Sequence, residues 1–142
     1  MNSYEAGETL QERNFNIKLP DHFRYAFVLK PGGQYDFSAL KPFCDRFLYA
    51  SDGYAESAGD FHSQLQEGLS NFDATRDIVI PVGSNSSCIQ AGAIIARLCL
   101  TNGHSWDAYF LAIFAAGIYE FWRIPLDPTE EAIRFELDDI RY

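Results

Sequence analysis

The sequence has few basic residues and few cysteines, and it lacks the glycine motifs of common nucleotide-binding loops. Only 11 Lys and Arg oppose 20 Asp and Glu, giving a net charge of −9. This balance disfavours direct binding to nucleic acid, because phosphate contacts need a basic face. The three cysteines, Cys44, Cys88 and Cys99, form no C-x-x-C pair, so neither a disulfide framework nor a zinc site is predicted. Neither G-x-G-x-x-G nor a Walker loop occurs.

Long apolar runs and an amino-terminal signal are also missing. The longest uncharged apolar stretch, Ala108–Ile118, is too short to cross a membrane. The residues after Met1 are polar and do not resemble a signal peptide. We therefore expect a cytoplasmic protein in a reducing compartment.

What the sequence does contain is enough apolar residues to form one core. Hydrophobic residues make up 47% of the 142 residues and aromatic residues 15%, which predicts a single domain over 1–142 with many large rings inside. Residues 1–13 are predicted to be a loose tail, and residues 127–142 an acidic C-terminal extension.

Four segments have the patterns of strands. Apolar residues alternate over 15–19, which is typical of a short edge strand. Phe23–Leu29 is an apolar run and predicts a buried central strand, and Arg46–Ala50 predicts a further, short strand. Asp77–Val82 is apolar in the middle on both faces, as in a parallel strand covered by helices, and Pro81 suits only its last pairs.

Three segments between these strands have helical patterns. Asp36 and Ser38 can cap a short turn that Pro42 keeps short. An amphipathic helix ending near Ser70 is predicted from a stripe of large apolar residues: Phe61, Leu65, Leu69 and Phe72. Cys88–Leu100 predicts a helix with small residues that approach the sheet closely.

The C-terminal part favours antiparallel strands. Trp106–Ala115 and Ile118–Leu126 are aromatic-rich runs that predict a hairpin, with one long helix as the alternative. From Ala132 onward, apolar and polar residues alternate, which predicts a last strand, although residues 129–131 would also begin a helix well. The predicted fold class is α/β: a small Rossmann-like or flavodoxin-like three-layer domain with a mostly parallel sheet and a C-terminal antiparallel hairpin.

This layout resembles that of small uncharacterised proteins of tailed bacteriophages. The features that carry the resemblance are the strand Phe23–Leu29, the turn Asp36-Phe37-Ser38 with Leu40 and Phe43, the stripe Phe61, Leu65 and Leu69, the segment Phe72-Asp73…Asp77–Gly83, the small-residue helix from Ala91, and Tyr119…Trp122-Arg123-Ile124. The resemblance covers roughly residues 23–126. It implies a viral origin and a counter-defence or host-takeover role, and it supplies no catalytic residues.

The predicted ligand site lies at the carboxyl edge of the parallel strands, where α/β sheets bind ligands. One side is the turn into the predicted helix: Gly83, Ser84, Asn85, Ser86 and Ser87. The other side is Gly32, Gly33 and Gln34. A helix start offers free N–H groups and the positive end of a dipole to a phosphate or carboxylate. The alternative is that these serines only cap the helix. Nearby basic residues are Lys30, Arg46 and Arg76.

No catalytic or metal site is predicted. Cys88 would lie in the first turn of its helix, where the dipole lowers a thiol pKa, but no histidine is spaced to serve as its base. His62 is placed on the polar side of its helix, and His22 and His104 at the opposite edge of the sheet. A cluster of acidic residues near the C-terminus predicts either a solvated face or a surface for a basic partner: Asp127, Glu130, Glu131, Glu136, Asp138 and Asp139. Exposed aromatic residues beside them, such as Trp122 or Tyr142, would favour the partner surface.

The leading hypothesis is a non-catalytic domain that binds a small anionic ligand, such as a host signalling nucleotide, without cofactor, metal or membrane. The alternative is an acidic interaction module that inhibits a host nucleic-acid-binding protein. An enzyme using Cys88 or a serine is a third hypothesis, and a homo-oligomer is compatible with all three.

Overall fold

The fold is α/β, as the sequence predicts. The computed structural model describes residues 22–31, 36–52, 57–82, 85–101, 106–115 and 117–135. Its strands are Phe23–Val28 (β1), Cys44–Tyr49 (β2), Ile78–Ile80 (β3), Ala108–Ala115 (β4), Ile118–Pro125 (β5) and Ile133–Phe135 (β6). Its helices are the 3₁₀ helix Ser38–Phe43, Ala58–Gly68 (α1) and Asn85–Thr101 (α2). None of the described helices is long and apolar enough to span a membrane.

All six strands form one mixed sheet in the order β2-β1-β3-β4-β5-β6. The first four in this order run parallel, and β5 and β6 are antiparallel to their neighbours. The carboxyl ends of the four parallel strands therefore meet at one edge, called the carboxyl edge below. The strand predicted over 15–19 lies outside the described residues.

The parallel strands differ from the prediction at their ends. β1 stops at Val28, one residue before Leu29, and β2 begins at Cys44 because the chain passes directly from the 3₁₀ helix into pairing with Phe23. β3 is shorter than the predicted Asp77–Val82. Pro81 has no N–H to pair, and Asp77 uses its side chain instead of extending the strand.

The two α-helices pack on one face of the sheet, and the 3₁₀ helix packs on the other. Leu65 and Leu69 of the α1 region join Ile94 and Ile95 of α2 in one buried cluster, whereas Leu40 belongs to the cluster on the opposite face. In the sheet, β2 lies on one side of β1, whereas β3 and β4 lie on its other side, so the direction of the connections reverses after β2. Right-handed connections then place the first crossover on the opposite face from the next two. The sequence predicted helices on both faces, and among the described residues the 3₁₀ helix is the only helix on its face.

The helix boundaries also differ from those expected. Ser57 caps α1 by accepting a hydrogen bond from the Asp60 N–H at 3.1 Å. α1 ends at Gly68, so Leu69 and Phe72 of the predicted stripe are buried just beyond the helix. The start predicted for α2 at Cys88 is wrong, because the helix already begins at Asn85.

The C-terminal runs are strands. β4 and β5 pair from Ala108↔Pro125 to Ala115↔Ile118, and Gly117 has a φ of 85°, the left-handed conformation that glycine tolerates in a tight turn. In β6 Ile133 and Phe135 are buried and Arg134 is exposed, as the alternation predicts. Residues 129–131 are not helical, and Leu137 lies outside the described residues.

A buried carboxylate joins the two central strands. Asp77 is 0% exposed, and each of its carboxylate oxygens accepts two hydrogen bonds. Arg24 of β1 donates two of these, from Nε at 3.0 Å and Nη2 at 2.8 Å, and the N–H groups of Tyr25 and Asp73 donate the others. The bond to Asp77 raises the pKa of the Arg24 guanidinium. All lone pairs of this buried charge are therefore used.

Asp77→Ala is expected to lower the free energy of unfolding by about 3–5 kcal/mol, because it leaves three donor groups without their acceptor. The exposed Asp107, which precedes β4, provides the control, and Asp107→Ala should change stability by no more than about 0.5 kcal/mol. Urea unfolding followed by circular dichroism measures both. Equal midpoints for the two variants would contradict a structural role for the Asp77 carboxylate.

Gly68 lets α1 approach the end of β2 closely. A Cβ at this position would lie 2.0 Å from the backbone oxygen of Ala50, far inside van der Waals contact. Gly92 in α2 has more room, since its Cβ would meet only the Tyr109 hydroxyl at 4.0 Å. Substitution of these two glycines by alanine should therefore have opposite effects on stability.

Gly68→Ala should destabilise the protein by more than about 1 kcal/mol, because the backbone of Ala50 must move. Gly92→Ala should be neutral or stabilising by up to about 1 kcal/mol, because alanine favours the helix interior. Thermal unfolding of the two variants side by side measures the difference. A gain in stability from Gly68→Ala would show that the close approach is wrong.

Candidate functional site

A cleft of about 710 Å³ opens at the carboxyl edge, beside the ends of β3 and β4. Four chain segments form its walls: the entry to the 3₁₀ helix, the residues after β3, the end of β4, and the turn into β5. The lining residues are Asp36, Ser38, Ala39, Pro81, Val82, Ala112, Ile113, Phe114, Gly117, Ile118 and Tyr119. Most are apolar, with one carboxylate and two hydroxyl groups among them.

Asp36 is the charged group of the described lining. Its Oδ1 accepts a hydrogen bond from the Ser38 N–H at 2.9 Å, which fixes the carboxylate at the entry to the 3₁₀ helix. Hydrogen bonds from the Ser38 N–H and hydroxyl lower the pKa of Asp36, so the group is ionised at neutral pH. No donor of the described residues other than Ser38 reaches this carboxylate.

Tyr119 links the two walls of the cleft. Its hydroxyl donates to the backbone oxygen of Asp36 at 3.0 Å, across 83 positions of sequence. Burial and the nearby Asp36 carboxylate raise the pKa of Tyr119, so the hydroxyl keeps its proton. The ring packs against Phe114 with centroids 5.1 Å apart, and together they form an aromatic wall.

The described part of the predicted anion site lies in the first turn of α2. Asn85 and Ser86 are exposed, whereas Ser87 is 0% exposed and cannot face a ligand. These three residues belong to the helix and do not precede it. The first turn of a helix tolerates serine and asparagine, because most of its backbone N–H groups have no partner within the helix. Gly83, Ser84, Gly32, Gly33 and Gln34 lie outside the described residues.

Side chains of both helices meet near this turn. Gln90 donates from Nε2 to the Ser86 hydroxyl oxygen at 2.9 Å and accepts from His62 Nδ1 at 3.2 Å. The prediction that His62 lies on the polar side of α1 is therefore wrong, since its half-buried ring faces α2. The turn and the cleft are neighbours in sequence, because α2 begins three residues after Val82.

The three basic residues predicted to lie near the ligand site are outside the cleft. Arg76 pairs with Asp73 at 3.1 Å before β3, at the opposite edge of the sheet. Arg46 is exposed within β2, and Lys30, which follows β1, is the one of the three near the carboxyl edge. None of the three lines the cleft.

The thiols are poor nucleophiles in this environment. Burial raises the pKa of Cys44 to about 12, and burial also raises the pKa of Cys88 and Cys99. Cys88 points its thiol at the Pro81 carbonyl oxygen, 3.6 Å away, and the helix start does not lower its pKa as expected. Cys99 is half-buried.

Neither a metal site nor an aromatic-acidic patch stands out in the described chain. Among the described residues, no group of three or more His, Cys, Asp or Glu side chains could hold a metal ion. Asp127, Glu130 and Glu131 are exposed, but Trp122 beside them is half-buried, and Glu130 pairs with Arg123 at 3.4 Å. Glu136, Asp138, Asp139, Tyr142 and His104 lie outside the described residues.

Few features of the sequence predict the cleft. Asp36 was expected only as a helix cap, and Tyr119 only as a strand residue. The Asp-x-Ser pattern of 36–38 is a local signal that the carboxylate is fixed, but no local signal brings Tyr119 to it. Comparisons with protein-family models, curated proteins and solved structures find no match for this chain.

Native thiols should react slowly with iodoacetamide at about pH 8, and Cys44 slowest of the three, because only the thiolate is nucleophilic. Labelling followed by mass spectrometry of peptides gives the rate at each site, and urea-unfolded protein is the control in which all three should react alike. Faster labelling of Cys88 than of a free model thiol would contradict its raised pKa and revive the enzyme hypothesis.

Proposed function

We propose that this protein is a non-catalytic domain that binds a small anionic ligand, with a nucleotide as the ligand class. The observation that carries the proposal is the position of the cleft: it opens at the carboxyl edge, and the chain leaves it through Pro81 and Val82 to begin α2. The cleft would hold the uncharged part of the ligand, and the first turn of α2 would hold its phosphate.

The size and lining of the cleft support a small-molecule ligand. Ligand pockets commonly enclose about 300–1,000 Å³ and have mostly apolar walls with a few polar groups. The cleft lies in this range, with Ala112 and Val82 as apolar lining and Phe114 and Tyr119 as an aromatic wall. An aromatic wall favours a planar group such as a nucleobase.

The topology supports the same location. We propose that the parallel part of the sheet is a Rossmann-like, flavodoxin-like unit, and its order β2-β1-β3-β4 favours this assignment. In such sheets ligands bind beyond the carboxyl ends of the strands, near the point where the direction of the crossovers reverses. Here the reversal lies between β1 and β3, next to the cleft.

The start of α2 supports the anionic part of the proposal. The first N–H groups of a helix have no partner within the helix, and the dipole is positive there. Asn85 and Ser86 are exposed in this turn and add an amide and a hydroxyl group. Gly83, Ser84, Gly32, Gly33 and Gln34 remain part of the proposed site, whereas the buried Ser87 would only support it.

A binding role without catalysis agrees with the raised pKa of Cys88 and with the hydrogen bond that engages His62. The resemblance to phage proteins adds the proposal that the ligand is a host signalling nucleotide, which the protein would sequester in the host cytoplasm.

Calorimetric titration with a panel of mononucleotides and of linear and cyclic oligonucleotides tests the proposal. At least one nucleotide should bind, and Ser86→Ala should weaken it about fivefold through loss of one hydrogen bond. Gly83→Val should weaken it further, because it adds a branched side chain to the proposed anion site. Ser63→Ala on α1 is the control and should bind normally, because Ser63 donates only to Gly59 of its own helix. No binding across the panel would refute the proposal.

A further inference from the structure

We propose that Asp36 recognises the ribose of the ligand by accepting hydrogen bonds from its 2′ and 3′ hydroxyl groups. This inference rests on the proposed function and names the part of the nucleotide that occupies the cleft. It makes the site selective for ribonucleotides over deoxyribonucleotides.

The argument begins with the state of the carboxylate. The Ser38 N–H holds Oδ1 at 2.9 Å, and the same hydrogen bonds lower the pKa of Asp36, so an oriented anion faces the cleft at neutral pH. Within the described chain, no second residue donates to this carboxylate. Asp36 is exposed, so a ligand lying beside it would replace the water that solvates the carboxylate, and a vicinal diol supplies two donors for its two oxygens.

The charge of Asp36 disfavours the phosphate of a nucleotide at this position. A phosphate beside Asp36 would meet a like charge, and no described lining residue is basic; Lys41, whose charge helps to lower the pKa of Asp36, lies outside the lining. The Tyr119 hydroxyl already donates its proton to the Asp36 backbone oxygen, so it cannot relieve that repulsion. The phosphate must lie away from Asp36, and the start of α2 provides a place for it.

The apolar lining indicates where the base of the nucleotide would lie. Phe114 and Tyr119 stand beside the carboxylate, with Phe114 59% exposed and Ile118 63% exposed at the turn into β5. A planar base against these side chains would cover apolar surface that is otherwise in water. The ribose lies between base and phosphate in every nucleotide, so its hydroxyl groups come to the remaining polar feature, Asp36.

The test is calorimetric titration of the full chain with the four ribonucleoside 5′-monophosphates, their 2′-deoxy forms and the free ribonucleosides. A bound ribonucleotide should lose about tenfold in affinity when its 2′ hydroxyl is removed, the worth of one hydrogen bond to a charged group. Asp36→Asn should weaken the ribonucleotide by about the same factor and abolish the preference for ribose. Asp107→Asn, an exposed change of equal charge at the opposite edge, should leave both unchanged.

The outcomes separate the two proposals. Equal binding of ribonucleotide and deoxyribonucleotide overturns the role of Asp36 and leaves nucleotide binding intact. Free ribonucleosides that bind as tightly as their phosphates, with the same preference, support Asp36 and contradict the anion site at α2. Absence of any binding overturns both. Circular dichroism of Asp36→Asn excludes misfolding as the cause of a loss.

Discussion

The carboxylate of Asp77 is the constraint on which the central sheet depends. A charge that is fully buried must have every lone pair occupied, and Arg24 and Tyr25 of β1 do this together with Asp73 of the turn between α1 and β3. The network fixes how β3 enters the sheet beside β1. With only three residues, β3 has too few ladder hydrogen bonds to set its own register, so the side chain of its preceding residue supplies the missing specificity.

This anchor lies at the amino edge of the parallel strands, whereas the cleft lies at the carboxyl edge. The residues that stabilise the sheet and the cleft that we propose binds a ligand therefore lie at opposite edges. The amino edge carries a fully satisfied buried ion pair, and the carboxyl edge keeps a carboxylate, hydroxyl groups and aromatic surface in contact with solvent. An exposed surface of this kind contributes little to folding, because its polar groups face water.

The elements of the fold could be predicted because each has a local cause. The β1 run Phe23–Val28 is apolar throughout except at Arg24, and the stripe from Phe61 to Phe72 is buried or half-buried as its spacing indicates. The ends of elements were predicted less well, since Ser86 tolerates both a cap and a first turn, and only tertiary contacts decide. The candidate cleft could not be predicted. Its walls come from segments far apart in sequence, and the contact between Tyr119 and Asp36 has no local signature.

That contact has a consequence for folding. Because residues 83 positions apart must meet, the cleft closes only after the sheet has been assembled from β1 to β5. If the proposed function holds, the ability to bind a ligand belongs to the fully assembled chain and not to its parallel half. A ligand that occupies the cleft selects the fully assembled state over every partly folded one, and by mass action it protects the whole molecule from unfolding and proteolysis.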